Sequence, residues 1–305
     1  MARPYALLDV FTDKALAGNP LAVVLDAKGL SDTQMQQIAG EFNLSETVFV
    51  LPPENPAHNA SVRIFTPSME LPFAGHPTVG TAVLLAENRF GSPDNDMDAL
   101  VLLEEKVGLV RCAVAMQKGK PTSAEFDVPR LPKPAQQLGE KDAIAAALSL
   151  EPNEITFENH KPKAWEAGLP FAFVPVANME ALNRIEPVPK YWQEAFGDID
   201  HNNAFAYCRQ TIHVNSAFHA RMVYLERDGL PREDAATGSA VAAFAGSIAE
   251  FDAPLDGIHT YCVEQGFRMG RPSFISLEIE IQSGKIHAHR IGGQAVILAH
   301  GELLI

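Results

Sequence analysis

The sequence predicts an α+β fold of two pseudo-symmetric halves, each a curled, mostly antiparallel sheet around one central buried helix. Three observations lead there. The stretch from Phe73 to Glu87 has a second version between Thr237 and Glu250: with Gly75 set on Gly238, Glu87 falls on Glu250 without a gap. Both stretches run through small and aliphatic residues almost without charge, the pattern of a helix buried on nearly all sides. Strand-forming runs surround each stretch in the same order, and repetition at long separation marks a duplicated unit.

A chain of 305 residues exceeds one comfortable core. The expected division is 1–118, with a buried helix over 76–88, and 119–305, with a buried helix over 239–251. Lys118 to Lys120, around Gly119, mark the boundary, and the last strand is free to pack back onto the first half. Hydrophobic residues make up 47% and charged residues 20%, which fits a globular chain rather than a disordered one. The net charge of −14 argues against nucleic acid and anionic membrane surfaces as partners. It leaves room for an anionic small substrate, because local amides override the global field. Cys112, Cys208 and Cys262 are too few and too scattered for a disulfide framework or a zinc site. The opening Met1-Ala2-Arg3-Pro4-Tyr5 has no apolar signal core and no run reaches transmembrane length, so a reducing cytoplasm is expected.

In chain order, 5–11 and 19–25 are strands joined through the Ala17-Gly18-Asn19-Pro20 turn, a hairpin. Ser31 and Gln34 form a capping box, and Met35, Ile38, Ala39 and Phe42 follow at helical spacing, giving a helix over 32–43. A strand begins at Glu46. After a surface loop over 52–58 comes a strand over 60–65, then a loop over 66–74 into the first buried helix. Pro77 suits the first helical turn, and Gly75 lets another group approach the helix start. Strands over 100–103 and 107–116 complete the first half; in the latter Val110, Cys112, Val114 and Met116 share a face. A strand over 124–128 opens the second half. An outer helix over 142–148, a strand over 171–176, two short helices within 178–197 and strands over 204–208 and 221–225 follow. A loop over 226–236 leads into the second buried helix. Alternation over 275–281 gives a half-exposed strand, and 285–289 and 294–298 close the sheet.

Two buried helices opening near polar residues point to two facing anion sites, since unsatisfied N–H groups and the helix dipole both favour a carboxylate. Core helices that use Gly and Ala only for close packing would look the same one at a time; the repetition favours the anion-site reading. Glu46, at a strand start, reads alone as a solvated strand-end charge. His76, at a helix start where a cation is disfavoured, reads as a neutral imidazole or a cap. Asp234, with Glu233 beside it, and Ser239 read as caps of the second helix as readily as functional groups. Facing one cleft between the halves, the four would be the parts for proton transfer at carbon: an anion site holds a substrate carboxylate while a base removes the neighbouring C–H proton.

Other chemistries lack their residues. The glycine spacing of a dinucleotide loop is missing, as are a phosphate-binding Gly-x-x-x-x-Gly-Lys-Ser/Thr and a nucleophile elbow. His287 and His289 share a strand face without an evident third metal ligand.

Six segments carry a resemblance: Asn19-Pro20-Leu21-Ala22-Val23, Ser45-Glu46-Thr47-Val48-Phe49, Arg63-Ile64-Phe65-Thr66-Pro67, Phe73-Ala74-Gly75-His76-Pro77-Thr78, Glu233-Asp234-Ala235-Ala236-Thr237-Gly238-Ser239-Ala240, and the run from Gln265 to Ser273. Together, and in order along the whole chain, they resemble the phenazine-biosynthesis PhzF-like proteins. The resemblance implies the diaminopimelate-epimerase-like fold and an isomerase that shuttles a proton by general acid/base catalysis, with Glu46 as acid/base and His76, Asp234 and Ser239 as the other site residues. It implies that backbone amides at Gly75, Gly238 and Ser239 hold a substrate carboxylate. It implies no cofactor, no metal, a small carboxylate-bearing metabolite as partner, and a homodimer. Related racemases use two cysteines at the helix starts; Gly75-His76 and Gly238-Ser239 stand there instead, which argues against a two-thiol racemase. A cysteine-independent epimerase, or a protein that binds a small acid without turning it over, are the alternatives. Ala235 stands where the family motif often has Pro.

Overall fold

The computed structural model describes residues 2–91, 94–197, 203–226 and 228–305. Arg227, in the expected 226–236 loop, lies outside them. By its contacts the chain falls into one unit of Met1–Pro129 with Gly292–Ile305 and another of Arg130–Ile291.

The first unit runs β1 (Ala2–Val10), β2 (Asn19–Val24), α1 (Asp32–Phe42), β3 (Glu46–Leu51), β4 (Ala60–Phe65), β5 (Glu70–Leu71), α2 (Gly75–Phe90), β6 (Met97–Glu105), β7 (Gly108–Met116) and β8 (Ser123–Asp127). The second runs β9 (Lys133–Pro134), α3 (Lys141–Ala147), β10 (Lys163–Glu166), β11 (Pro170–Pro175), α4 (Met179–Arg184), α5 (Pro189–Phe196), β12 (Ala204–Cys208), β13 (Phe218–Leu225), β14 (Pro231–Asp234), α6 (Gly238–Phe251), β15 (Gly257–Gln265) and β16 (Ser273–Gln282). The last strand, β17 (Lys285–Leu304), contributes to both.

In the first unit β1 pairs antiparallel with β2 and with the Ala295–Leu304 part of β17. The ladder continues parallel to β3, antiparallel to β4, parallel to β6, and antiparallel through β7 to β8. β8 meets β17 and closes the ring. α2 fills it: the residues from Gly75 to Leu84 are all buried, and the first charge, Glu87, comes where the helix leaves the barrel. Closure needs close approach, and Gly80 permits it, because a Cβ there would sit 2.6 Å from Leu21 Cδ2 and 2.8 Å from Val10 Cγ2. α1 lies outside, with Met35, Ile38 and Ala39 buried against Val24, Phe49 and Phe65. The Ser31–Gln34 capping box forms, and Asn43 ends the helix in the left-handed region.

The second unit repeats the pairing types element for element. β10 is antiparallel to β11, β11 parallel to β12, β12 antiparallel to β13, β13 antiparallel to β14 and parallel to β15, and β15 antiparallel to β16. Its core is aromatic: Phe173, Tyr207 and Phe218 ring Phe244 of α6 at centroid distances of 5.4, 4.5 and 4.9 Å. α3, α4 and α5 bury their apolar faces, including Trp192 and Phe196, on the other side of the sheet. The α+β class and the duplication read from the sequence are thus present in each unit.

The details differ in places. β5 and β14 lie within segments expected to be loops. One has two residues and the other is Pro231-Arg232-Glu233-Asp234, so neither carries a strand-like side-chain pattern. β10 and β15 were not among the expected strands. The two closing strands are one, β17, which passes through Gly292-Gly293; a Cβ at Gly292 would meet Glu125 Cβ at 2.8 Å and Ala124 O at 3.0 Å. The strand expected to open the second half, β8, pairs with β7, where buried Phe126 meets Phe73 edge-on at 5.4 Å. Among the described residues no helix is long and apolar enough to cross a membrane.

Candidate active site

Glu46 is the first residue of β3, and the parallel ladder sets it beside Leu21 of β2. Two residues earlier, at the start of β2, stands the buried Asn19. α2 begins at Gly75 and His76 without a side-chain cap, its N-cap Ala74 being extended. These elements bring three polar side chains together. His76 Nδ1 is 3.4 Å from Asn19 Nδ2, and His76 Nε2 is 3.3 Å from Glu46 Oε2. His76 is 4% exposed, and burial pushes its imidazole down to about 3. The contact with Glu46 is therefore a neutral imidazole beside a carboxylate rather than an ion pair. The ring is neutral as the helix start predicts, and enclosure is the cause. With the Asn19 amide donating to Nδ1, the ring proton sits on Nε2, which has no hydrogen-bond partner among the described residues although Glu46 Oε2 is 3.3 Å away. The Glu46 side chain is 17% exposed, so it borders solvent while His76 does not.

In the second unit Asp234 ends β14 and Gly238 starts α6, whose N-cap Thr237 likewise makes no side-chain cap bond. Thr237 Oγ1 donates to Asp234 Oδ2 at 2.6 Å. Gln265, at the end of β15, holds the turn: its Oε1 accepts from Thr237 N at 3.0 Å, and its Nε2 donates to the Asp234 carbonyl at 2.9 Å and lies 3.0 Å from Thr237 Oγ1. Ser239 is half-buried and Gly238 buried. Glu233 turns the other way, as strand alternation requires, and takes Arg221 in a two-point contact at 3.0 and 2.8 Å. The structure thus gathers Glu46, Gly75 and His76 in one unit and Asp234, Gly238 and Ser239 in the other.

Sequence reasoning missed the groups that hold these residues. Asn19 sat inside a quoted motif without a role. Arg63 grips Glu70 through Nε and Nη2, both at 2.7 Å, as Arg221 grips Glu233. A signal existed: Glu70 precedes Gly75 by the same five positions as Glu233 precedes Gly238. Glu104 and Glu264, at matching ladder positions of β6 and β15, each accept two successive backbone N–H groups and a histidine Nδ1.

His287 is exposed and His289 buried, so they do not form a ligand pair. Among the described residues Glu158, His160 and Asp252 approach metal-like spacing. Their donors are already engaged: His160 Nδ1 meets Tyr207 Oη at 2.9 Å, its Nε2 meets Asp252 Oδ1 at 2.9 Å, and the Arg209 guanidinium bonds Asp252. Burial pushes the thiols of Cys112, Cys208 and Cys262 up, away from the thiolate form a nucleophile needs.

A family profile described as phenazine biosynthesis-like protein, PhzC-PhzF, matches residues 8–301. The chain is 53% identical over 307 residues to an uncharacterized isomerase of Mesorhizobium japonicum, covering 99% of both. It is 31% identical over 310 residues to the trans-2,3-dihydro-3-hydroxyanthranilate isomerase of Pseudomonas chlororaphis, again covering 99% of both. Among solved structures, a Bacillus anthracis phenazine biosynthesis protein of the PhzF family superimposes with a TM-score of 0.86 at 26% identity, over 100% of each chain.

Proposed function

The chain belongs to the phenazine biosynthesis-like, PhzC-PhzF family of isomerases, and from that membership we propose that it moves a proton between carbons of a small carboxylate-bearing substrate. Glu46 takes the proton from one carbon and returns it to another. One C–H bond breaks and one forms, so the reaction is redox-neutral and needs no co-reactant. The observation that carries the reading is the Glu46–His76 contact of 3.3 Å, with the imidazole held neutral by burial. A neutral ring leaves the carboxylate as the base and offers one N–H to an oxygen on which negative charge develops.

The Gly75 amide in the first unit, and the Gly238 and Ser239 amides in the second, stand at helix starts that carry no side-chain cap and are fitted to hold a carboxylate. Asp234, oriented by Thr237 and Gln265, and the Ser239 hydroxyl are fitted to bind a polar group. Trans-2,3-dihydro-3-hydroxyanthranilate, which the Pseudomonas chlororaphis relative is named for isomerising, is the first probe. With a turned-over probe, Glu46→Gln is expected to lose about 10²–10⁴-fold in kcat, while its circular dichroism and melting stay those of wild type. Turnover in Glu46→Gln at the wild-type rate removes Glu46 from the mechanism. Binding of the acid with all C–H protons untouched reassigns the protein as a binder.

A further inference from the structure

Glu105 is the charged residue most at odds with its surroundings. β6 turns Val101, Leu103 and Glu105 into the first barrel, and Glu105 is 8% exposed. One carboxyl oxygen lies 2.8 Å from Thr78 Oγ1, in the first turn of α2. The other has no hydrogen-bond partner among the described residues. Lys106, next in the chain, reaches Glu70 Oε2 instead, at 2.6 Å.

The protons decide how this contact works. Thr78 Oγ1 also lies 2.7 Å from the Ala74 carbonyl, which only accepts. A threonine hydroxyl has one proton. An ionised Glu105 would place a second pure acceptor on an oxygen whose proton is already committed. A protonated Glu105 donates to Thr78, and Thr78 donates to Ala74, so each proton has one place.

The duplication supplies an independent argument. Ser61 stands opposite Glu104 in the β4–β6 ladder and His219 opposite Glu264 in the β13–β15 ladder, so Glu105 corresponds to Gln265. Gln265 donates from its amide to the turn that starts α6. That position in the second unit is filled by a group that is neutral at every pH and donates toward a helix start.

We propose that Glu105 is a positioning residue: a carboxylic acid kept protonated in the folded chain, whose hydroxyl bonds Thr78 and sets the first turn of α2, on which Gly75 and His76 stand. Burial pushes its carboxyl up to about 8, outweighing the opposing effect of the Thr78 hydrogen bond. The titratable or charged groups on the elements around it include His76 on α2, Cys112 on β7, Asp127 on β8, and Glu70 on β5 with Arg63 of β4 and Lys106. A carboxyl raised in the folded state above its unfolded value stabilises on the acid side and loses that contribution as pH rises through about 8.

The positioning task rests on the isomerase reading; the measurements below need no substrate, so they stand or fall apart from it. Infrared spectra of wild type and Glu105→Gln are compared from about pH 6 upward. Wild type is expected to show a protonated-carboxyl carbonyl band that Glu105→Gln lacks and that fades through pH 8. The Tm of Glu105→Gln should rise relative to wild type over the same range. The ¹⁵N signal of the His76 ring should move with this titration in wild type and stay still in Glu105→Gln. Absence of the band at about pH 6, or a Tm difference flat with pH, overturns the proposal even if Glu105→Gln folds poorly, because the band is read in wild type. A band with an unmoved His76 signal overturns the positioning role.

Discussion

His76 has two neighbours with different tasks: Asn19 selects which ring nitrogen carries the proton, and the Glu46 carboxyl packs 3.3 Å from that nitrogen without a hydrogen bond to it. Asn19→Ala removes the selector without touching the base. It should cost about tenfold in kcat with little change in KM, the worth of one hydrogen bond at about 1–1.5 kcal/mol. Steady-state kinetics check this, and an unchanged kcat would show that the tautomer is set elsewhere. Burial of His76 also has a signature in stability. Its folded value of about 3 lies below the unfolded value of 6.5, so the unfolded chain binds more protons in that window. Stability is full above pH 6.5 and falls as pH drops toward 3. At about pH 4.5 the loss from this residue is on the order of 2–3 kcal/mol, and His289, pushed down to about 4, adds to it. Urea denaturation of wild type and His76→Asn should show the acid-side slope flattened in the variant; parallel slopes would contradict a buried neutral imidazole.

At the scale of elements, the duplicated arginine–glutamate grips tie a strand to the segment that enters each central helix. They are alike in geometry and unlike in burial. Arg221 is 2% exposed and also donates to the carbonyls of Leu182 and Ile185, at 2.9 and 3.0 Å. Arg63 is more open, and its further partner Asp32 is 82% exposed. Arg221→Leu leaves the mostly buried Glu233 carboxylate without this donor, and should destabilise by about 3–5 kcal/mol. Arg63→Leu removes a more open arginine and leaves Glu70 its Lys106 partner, and should cost about 1 kcal/mol. Equal losses in guanidinium chloride denaturation would mean that burial does not separate the two. The echo of the helices made their starts readable, because α2 and α6 begin at the two glycines that align. β5 and β14 stayed hidden, since what holds them is a side chain from the neighbouring strand rather than their own pattern. Glu105 stayed hidden for a related reason: at the end of a strand a glutamate reads as solvated, and only the ladder shows that it faces inward.

At the scale of the whole chain, the first barrel is completed by residues from the far end of the sequence. β1 pairs along its length with β17, from Ala2 opposite Leu304 to Val10 opposite Ala295. Deletion of residues 292–305 should therefore abolish cooperative unfolding of the first unit, read by hydrogen exchange at β1; a protected β1 in the truncated chain would contradict the closed ring. That return was foreseen only as an option, because Gly292-Gly293 reads as a break, while its cause is the nearness of Glu125. The alignment of Gly75 with Gly238 told where the two central helices start. It did not tell that Asn19, Glu46 and His76 meet, since that requires the parallel β2–β3 ladder. The central claim is that Glu46 carries a proton between substrate carbons, and the most direct measurement is ¹H NMR of the reaction run in D₂O with trans-2,3-dihydro-3-hydroxyanthranilate or another acid that turns over. The account predicts that one carbon loses its proton and another gains deuterium, or that same proton by internal transfer, at a rate abolished in Glu46→Gln. Product formed with every substrate C–H bond intact, or proton movement undiminished in Glu46→Gln, would contradict it.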